Sequence, residues 1–467
     1  MTVAIVGGGI AGLATAYYLN RQGRKVIVFE REAAAGGITQ SDQLQGYTID
    51  RGPNGFLTNV PETLELAKAL GLADELAVAG ELAQHRFLYH HGTLQALPTS
   101  PMAFLRTRLV SGRAKARLLC EPFAPKRPPG VDETVYEFAQ RRVGAEFAEV
   151  FMRAMVLGIT AGDAKAISLA ALFPRLRRLE DDYGSLVRAL LATVLKRRQG
   201  TGGPAGPGGR LTSFKHGGIA RLTRALAEQL GQRVRTGAAV VGLQRCDYAQ
   251  RGRCDTGTYT LTLASGEQCQ ASAVVLATPA FVSADLLAPL LPEAAAELAA
   301  IPYAGVRVLG LGFNRQDVPH PLNGFGYLVV PGEGQQILGC LWTSSLFPTQ
   351  APPGKVLLRV IGGGVFDPDF VTIDDSEALR IVQHDLRLSL GLTQAPELVH
   401  QVTWPQGIPQ YLVGHSARVA RIMTATQALP GLYLTGNAYY GVGLNDCVRD
   451  AQRVTRAIAT AIRPANS

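Results

Sequence analysis

The stretch TVAIVGGGIAGLATAYYLNRQGRKVIVFE, residues 2–30, decides the fold. Its first residues are mostly apolar and predict a buried strand that leads into a glycine-rich turn. Small and apolar residues then predict a helix as far as Gly23, and a second apolar strand ends at Glu30. A strand, a tight turn, a helix and a strand in this order predict a βαβ unit.

The turn has the spacing Gly-x-Gly-x-x-Gly, which is typical of dinucleotide-binding proteins. Gly7 permits the tight turn, Gly9 lets a pyrophosphate approach the backbone at the helix N-terminus, and Gly12 lets the helix pack closely on the strand. The carboxylate of Glu30 is placed to accept hydrogen bonds from an adenosine ribose. The residues expected to bind the dinucleotide here are Gly7, Gly9, Ile10, Ala11, Gly12, Glu30 and Arg31.

Two more glycine-rich turns favour FAD over NAD. Gly36 and Gly37, followed by Ile38, come soon after Glu30, where an NAD-type domain has no general need for them. Near the other end of the chain, a strand, a glycine-rich turn and a helix N-terminus suit the electron-rich end of a reduced flavin. The residues of that turn are Gly436, Asn437, Gly441, Val442, Gly443 and Leu444. We therefore expect one site assembled from both ends of the chain.

Composition narrows the class of protein. The chain has 467 residues, of which 47% are hydrophobic and 18% charged, so we expect two or three packed domains. The net charge of +9 suits an acidic ligand or an anionic membrane surface, and no nucleic-acid-binding motif accompanies it. Six scattered cysteines predict neither a metal site nor a disulfide framework. Without a long apolar run or a signal peptide, we expect a cytoplasmic protein, with peripheral attachment to the inner face of a membrane as an alternative.

The character of the chain changes three times. Residues 98–200 are predicted to be helical and carry arginine and lysine clusters, which suit an anionic leaflet as well as an ordinary solvated face. The glycine- and proline-rich stretch 199–210 predicts a flexible linker. Strand-like segments dominate after it. The predicted domains are a discontinuous FAD-binding domain of residues 1–86, 211–285 and 428–467, a substrate-binding domain of residues 87–97 and 286–427, and a helical lobe of residues 98–200.

A second stretch, YTIDRGPNGFLTN, at residues 47–59, predicts a strand that stops at the corner Gly52-Pro53-Asn54-Gly55. With the earlier motifs, this corner makes the chain resemble the protoporphyrinogen oxidase family of amine-oxidase-like flavoproteins. The similarity runs over nearly the whole length and is most specific in GPNGF, WPQGIPQYLVGH and GVGLNDC. It implies an α/β fold with a Rossmann-type FAD domain, a mixed-sheet substrate domain and an inserted helical, membrane-associating lobe.

The resemblance implies a function and further site residues. Flavin N5 would take hydride from a bridge carbon of protoporphyrinogen, and dioxygen would reoxidise the flavin and give hydrogen peroxide, so the protein would supply no catalytic acid or base. Implied partners are the porphyrinogen, O2, an anionic membrane surface and a homodimer. Implied FAD contacts are Gly52, Pro53, Asn54, Gly55, Val240 and Trp404. Implied substrate contacts, for whose apolar members ordinary core packing is an equal explanation, are Asn59, Gly158, Phe325, Leu328, Leu341 and Ile361.

The sequence also departs from the family pattern. Several relatives carry a cation shortly after the GP corner to hold a substrate propionate, whereas residues 55–59 carry no charge here. Either Asn59 or Thr58 replaces it, or a basic residue from elsewhere reaches the carboxylate. Alternative functions are oxidation of coproporphyrinogen III, another flavin-dependent amine oxidation or desaturation, and flavin-fold binding without catalysis.

Overall fold

The computed structural model describes residues 2–128, 130–189, 191–192, 209–246 and 257–461. Most of the predicted linker, residues 199–208, lies outside these ranges. The strands, in chain order, are β1 (Thr2–Val6), β2 (Lys25–Phe29), β3 (Ser41–Leu44), β4 (Tyr47–Asp50), β5 (Phe56–Leu57), β6 (Leu76–Val78), β7 (Arg86–His90), β8 (Thr93–Ala96), β9 (Leu211–Phe214), β10 (Val234–Arg235), β11 (Val240–Arg245), β12 (Tyr259–Leu263), β13 (Gln268–Ala271), β14 (Ala273–Leu276), β15 (Tyr303–Asn314), β16 (Gly326–Val329), β17 (Ile337–Leu341), β18 (Lys355–Gly363), β19 (Leu398–Pro409) and β20 (Leu432–Leu434).

The helices form where apolar residues recur at helical spacing or where a capping residue starts a turn. Ala220–Leu230 is an example, because Leu222, Leu226 and Leu230 are all buried on one face, as the sequence predicts. The helices used below are α1 (Ile10–Arg21), α2 (Pro61–Ala69), α3 (Pro101–Arg106), α4 (Gly112–Leu119), α5 (Val135–Val143), α6 (Ala145–Phe147), α7 (Arg153–Thr160), α8 (Leu169–Leu172), α9 (Pro174–Tyr183), α10 (Ala220–Leu230), α11 (Ala280–Leu287), α12 (Pro292–Ala299), α13 (Thr343–Leu346), α14 (Asp375–Leu390), α15 (His415–Thr426) and α16 (Leu444–Ala461).

A five-stranded parallel sheet contains the first and the last strand of the described chain. Its strand order is β10-β2-β1-β14-β20, and β1 pairs with β2 so that Val6 lies opposite Phe29. The predicted βαβ unit is thus confirmed. One face packs against α1, α10 and α16, and the other against α11, α12, α15 and the small sheet of β11, β12 and β13. Helix α11 spans the predicted domain boundary at 285/286.

A seven-stranded mixed sheet forms the second layer of the molecule. Its order is β19-β15-β18-β17-β16-β7-β8, and only the pair of β7 and β16 is parallel in it. Helix α14 packs against one face of this sheet through Ala378, Ile381, Val382 and Leu386. On the other face, Leu357 packs against Tyr47 and Ile49 of β4, and Ile361 packs against the cluster that contains Leu157 of α7.

The inserted region is helical, as predicted, and has its own apolar core. Val135, Phe138 and Ala139 of α5 pack there with residues of α7 and α8. Arg142 is fully buried and forms an ion pair with Glu121. In the part of the chain that the structure describes, no helix combines the length and the apolar composition that crossing a bilayer requires.

The cysteines differ from the prediction at one position. Cys120, Cys269, Cys340 and Cys447 are free thiols. Cys246, at the end of β11, is disulfide-bonded. The sequence predicted no disulfide framework and an idle or buried thiol at each cysteine, and the latter is wrong for Cys246, because the absence of a recognisable spacing motif does not prevent a disulfide.

Candidate functional site

The glycine-rich turns from the two ends of the chain meet at one edge of the parallel sheet. Val6, at the end of β1, lies beside Leu276, and Leu276 lies beside Leu434 at the end of β20. Neighbouring strands are ~4.8 Å apart, so the turns that begin after Val6 and Leu434 lie within ~10 Å of each other. The carboxyl edge of a parallel sheet is where α/β proteins bind ligands.

The first glycine-rich turn is tightly packed at Gly12 but leaves room for a phosphate at Gly9, as the sequence predicts. A Cβ atom at Gly12 would overlap the carbonyl oxygen of Gly7, so helix α1 and the turn after β1 are in direct backbone contact. At Gly9, by contrast, no atom lies within 4 Å of a Cβ position, and φ is −73°. Ile10 and Ala11, also predicted, are buried in the first turn of α1. Gly9 therefore leaves open space at a helix N-terminus, as a bound pyrophosphate requires.

Glu30 is buried and held in place by the backbone. Its Oε2 accepts a hydrogen bond from Gly8 N at 2.7 Å, and its Oε1 accepts one from Glu32 N at 2.9 Å. The segment that leads into Val240 runs beside it, because Ala238 N donates to Glu30 O at 2.8 Å. Arg31 points outward and pairs with Glu32. The arrangement fits an adenosine end of the cofactor at Glu30 and Val240.

The second glycine pair and the corner at residues 52–55 extend the same groove. Gly36 N donates to Gly8 O at 2.8 Å, and Gly37 lies against Gly9. A Cβ atom at Gly52 would overlap the carbonyl oxygen of Ile38, so the corner packs on the backbone beyond the glycine pair. The amide nitrogen Nδ2 of Asn54 is buried without a hydrogen-bond partner among the described residues. These features, a backbone cradle with one orphaned donor, fit an FAD molecule.

Two side chains of the mixed sheet fix the corner, and one of them lies outside every sequence motif. Arg359 Nε donates to Asp50 O at 3.0 Å, and Arg359 Nη2 donates to Gly52 O. Trp404 Nε1 donates to Arg51 O at 2.9 Å, so its indole ring lies beside the corner. Burial lowers the pKa of Arg359 to about 10, so the guanidinium remains charged at neutral pH. Arg359 lies in β18 without a motif, and only its contacts reveal its role.

The C-terminal turn is held by a tyrosine of the PQYLVGH motif. The Tyr411 hydroxyl donates to Asn437 O at 2.6 Å and accepts from Gly441 N at 2.9 Å. Tyr411 is fully buried, and its ring stacks on that of His415 with centroids 4.0 Å apart. Gly443 N points to Asp446, and Leu444 begins α16 within the core shared with α1. Val442 lies half-buried between these anchors.

We expect Tyr411→Phe to weaken FAD binding about tenfold. The substitution leaves the carbonyl of Asn437 and the N–H of Gly441 without their partner, and each unsatisfied buried group costs about 1–3 kcal/mol. Fluorescence titration of the apoprotein with FAD measures the effect. The matched control is Tyr433→Phe, since the Tyr433 hydroxyl makes no hydrogen bond to a described residue and its half-buried ring lies in β20. Equal affinities in both variants would contradict the positioning role of Tyr411.

The burial of His415 predicts that the folded protein loses stability in acid. It is 4% exposed, and burial lowers its pKa to about 4 from 6.5. The unfolded chain therefore binds a proton that the folded protein does not, and stability falls as the pH drops from about 6.5 to about 4, by about 3 kcal/mol in all. We expect the thermal midpoint of His415→Gln to change less than that of the wild type over this interval. Parallel pH dependence in the two proteins would rule out His415 as the cause.

Three of the six predicted substrate residues lie on one face of the mixed sheet. Leu328 lies opposite Gly339, and Gly339 lies beside Ile361. In the next row of paired residues, Leu341 lies opposite Gly326 of β16 on one side and Arg359 of β18 on the other. Residues opposite each other, and residues two apart on a strand, share a face. Leu328, Leu341 and Ile361 thus share the face from which Arg359 reaches the corner, and all three are half-buried.

The other three predicted substrate residues lie in three different surroundings. Phe325, just before β16, is half-buried and packs against Leu346 and Phe347. Gly158 lies in α7 and is exposed, and the space beside it is filled by Leu328, which lies 2.7 Å from a Cβ position. Asn59 lies against Gly209, and its Oδ1 is buried without a hydrogen-bond partner among the described residues.

A cation that sequence reasoning missed lies beside Phe325. The guanidinium carbon of Arg86 is 4.8 Å from the centre of the Phe325 ring. Arg86 begins β7 opposite Gly326, and partial desolvation lowers its pKa although the side chain reaches solvent. It makes no ion pair with a carboxylate in the described ranges. No local sequence pattern could have identified this cation, because its place beside Phe325 depends on the pairing of β7 with β16.

Comparison with known proteins identifies the family of the chain. The family model of flavin containing amine oxidoreductases matches residues 10–459. Coproporphyrinogen III oxidase of Bacillus subtilis (strain 168) is 30% identical, over 96% of this chain and 95% of its own. Chloroplastic protoporphyrinogen oxidase of Oryza sativa subsp. japonica is 33% identical, over 96% of this chain and 86% of its own. The crystal structure of a protein from Exiguobacterium sp. 255-15 assigned as a protoporphyrinogen oxidase superposes with a TM-score of 0.83 and 27% identity, covering 98% of each chain.

Proposed function

The chain belongs to the family of flavin containing amine oxidoreductases, and from this premise we propose that it is an FAD-dependent oxidase of porphyrinogens. The reaction proposed is the six-electron oxidation of protoporphyrinogen IX to protoporphyrin IX, with three molecules of O2 reduced to three of H2O2. Relatives named for porphyrinogen oxidation, 30–33% identical over nearly the whole chain, support this substrate class.

One observation carries the proposal. The sheet face that bears Leu328, Leu341 and Ile361 also bears Arg359, whose guanidinium binds the backbone of the Gly52 corner. An apolar surface for a flat macrocycle therefore borders the proposed flavin edge directly. A non-catalytic binding protein would have no need for such an adjacency together with complete cofactor turns at both ends of the chain.

The protein's part in this chemistry is binding, orientation and exclusion of water. Bound FAD supplies the acceptance of a hydride equivalent from a bridge carbon and the transfer of electrons to O2. Gly9, Glu30 and the turn at residues 436–443 hold the cofactor. Leu328, Leu341 and Ile361 lie against the ring system and present one bridge carbon at a time to the corner. The pyrrole N–H protons leave to solvent, which needs no dedicated base.

Arg86 is proposed to hold a propionate of the substrate. Its guanidinium lies at the rim of the apolar face, beside Phe325, and has no ion-pair partner among the described residues. A guanidinium binds a carboxylate through two parallel hydrogen bonds, which fixes orientation as well as affinity. The macrocycle would thus lie with its propionate edge toward solvent and its bridge carbons toward the corner.

The helical lobe is proposed to rest on an anionic membrane surface. Leu105, Leu119 and Phe123 are 62%, 80% and 85% exposed, in a region that also carries Arg113 and Lys115. Apolar side chains among cations are typical of interfacial attachment, and a poorly soluble porphyrinogen is delivered most easily there.

Formation of a homodimer stays a prediction from the family resemblance.

Anaerobic mixing tests the proposed function. The yellow holoprotein is mixed with protoporphyrinogen IX without oxygen, and its visible flavin absorption is followed. We expect bleaching in a single turnover and recovery of the colour when air is admitted. If the flavin stays oxidised with porphyrinogens but is bleached by an amine or a carotenoid precursor, the proposal is wrong and the protein catalyses that other reaction.

Coproporphyrinogen III is the second candidate substrate. The relative from Bacillus subtilis carries that name at 30% identity over 96% of this chain. The two porphyrinogens differ in two peripheral groups, which are propionates in one and vinyl groups in the other. Arg86 offers a guanidinium to a propionate, and the apolar side chains of this face suit vinyl groups better than further carboxylates, which supports protoporphyrinogen IX as the substrate.

A further inference from the structure

Two histidines and a glutamate meet where two loops of the mixed sheet approach each other. His90 ends β7, His91 lies in the turn to β8, and Glu333 lies in the loop between β16 and β17. His90 Nδ1 lies 2.6 Å from Glu333 Oε1, and the two histidine rings have centroids 3.9 Å apart. One nitrogen or oxygen atom of each residue lies within 4.8 Å of the other two.

The backbone brings both rings to the same side. Successive side chains of a strand point to opposite faces, so two adjacent histidines in a regular strand do not share a site. Here His91 has φ +52° and Gly92 has φ +71°, which is the geometry of a two-residue hairpin turn. The turn carries the His91 ring back over His90. His90 itself is fixed because its carbonyl accepts a hydrogen bond from Gln95 Nε2 at 3.0 Å.

We propose that His90, His91 and Glu333 bind one divalent transition-metal ion of the zinc class. Two imidazoles and one carboxylate are ligands that Zn²⁺ prefers, and a water molecule would complete a tetrahedral set. In such a set, neighbouring ligand atoms are roughly 3.3 Å apart. The contact between His90 and Glu333 therefore opens by less than about 1 Å when the ion takes the place of the hydrogen between them.

The burial of the three residues suits an ion that enters from solvent. His90 is 9% exposed and Glu333 is half-buried, whereas His91 is exposed. His90 and Glu333 are thus held in place before an ion binds, and the exposed His91 leaves an open path from solvent. The ion would link the end of β7 to the loop after β16, two strands that pair in parallel with Tyr89 opposite Val329. This site is independent of the proposed oxidase activity.

Calorimetric titration with ZnCl2 tests the site. The untagged holoprotein is freed of metal with a chelator, and the wild type is compared with His91→Asn, Glu333→Gln and the control His216→Ala. Asparagine is well tolerated at a left-handed turn position, so His91→Asn removes the ring while keeping the turn. His216 is an exposed histidine outside the cluster. Equal thermal midpoints of the metal-free proteins verify that the variants are folded.

We expect one Zn²⁺ per chain in the wild type and in His216→Ala, and at least a tenfold weaker affinity in each cluster variant. Co²⁺ bound to the wild type should show the visible absorption of a tetrahedral site, and the cluster variants should lack it. Absence of binding by the wild type would overturn the proposal. So would wild-type affinity in either cluster variant.

Discussion

Gly9→Ala is expected to yield a folded protein that purifies without its yellow cofactor. No protein atom lies within 4 Å of a Cβ position at Gly9, and its φ of −73° suits alanine, so the substitution costs the fold little. The added methyl group instead occupies the space through which the pyrophosphate would approach the helix N-terminus. We expect at least a 100-fold loss of FAD affinity, measured by titration of the apoprotein, with an unchanged thermal midpoint of that apoprotein.

Two other glycines make this result interpretable. Gly80 also has an unobstructed Cβ position and a φ of −61°, but it lies outside the site, so Gly80→Ala should retain FAD. At Gly12 a methyl group would overlap the carbonyl oxygen of Gly7, and Gly12→Ala should lower the thermal midpoint itself. A Gly9→Ala protein that remains yellow with wild-type affinity would contradict the proposed position of the pyrophosphate.

Arg86→Ala is expected to raise KM for protoporphyrinogen IX about 10- to 100-fold. The propionate of the substrate would lose its charge-assisted contact with the guanidinium, which is worth about 1.5–3 kcal/mol. Arg86→Lys should recover part of the loss, because an ammonium group keeps the charge but not the paired hydrogen bonds. Steady-state porphyrin formation at several substrate concentrations measures both variants, and the control is the exposed Arg456→Ala.

The dimethyl ester of the porphyrinogen separates this role from a structural one. A substrate without carboxylates has nothing for Arg86 to bind, so the wild type and Arg86→Ala should oxidise it with the same KM. If Arg86→Ala is impaired equally with the acid and the ester, the arginine supports the pocket through the Phe325 ring and does not bind the propionate.

The parts of the site that depend on local backbone geometry were accessible from the sequence. The turn at Gly7, Gly9 and Gly12 needs small residues at fixed spacing, and the strand and helix around it follow from apolar patterns. The corner at residues 52–55 is also a local feature. The structure brings these segments together with the C-terminal turn at one sheet edge, because β1 and β20 flank β14.

The parts that depend on long-range contacts were not accessible. Arg86 meets Phe325 only because β7 and β16 pair in parallel, and Arg359 reaches Gly52 only because the mixed sheet lies beside the corner. Tyr411 was found within a family motif, but its two bonds to the turn at residues 437–441 required the fold. His90 and Glu333, 243 positions apart, have no sequence signal at all.

Porphyrin formation in air tests the central claim most directly. The purified holoprotein is given protoporphyrinogen IX or coproporphyrinogen III in separate reactions, and porphyrin fluorescence, O2 uptake and H2O2 are recorded together. We expect rapid formation of protoporphyrin IX with about three H2O2 per porphyrin, and a smaller kcat/KM for coproporphyrinogen III. Yellow, FAD-loaded protein that forms porphyrin from neither substrate above the spontaneous rate would contradict it.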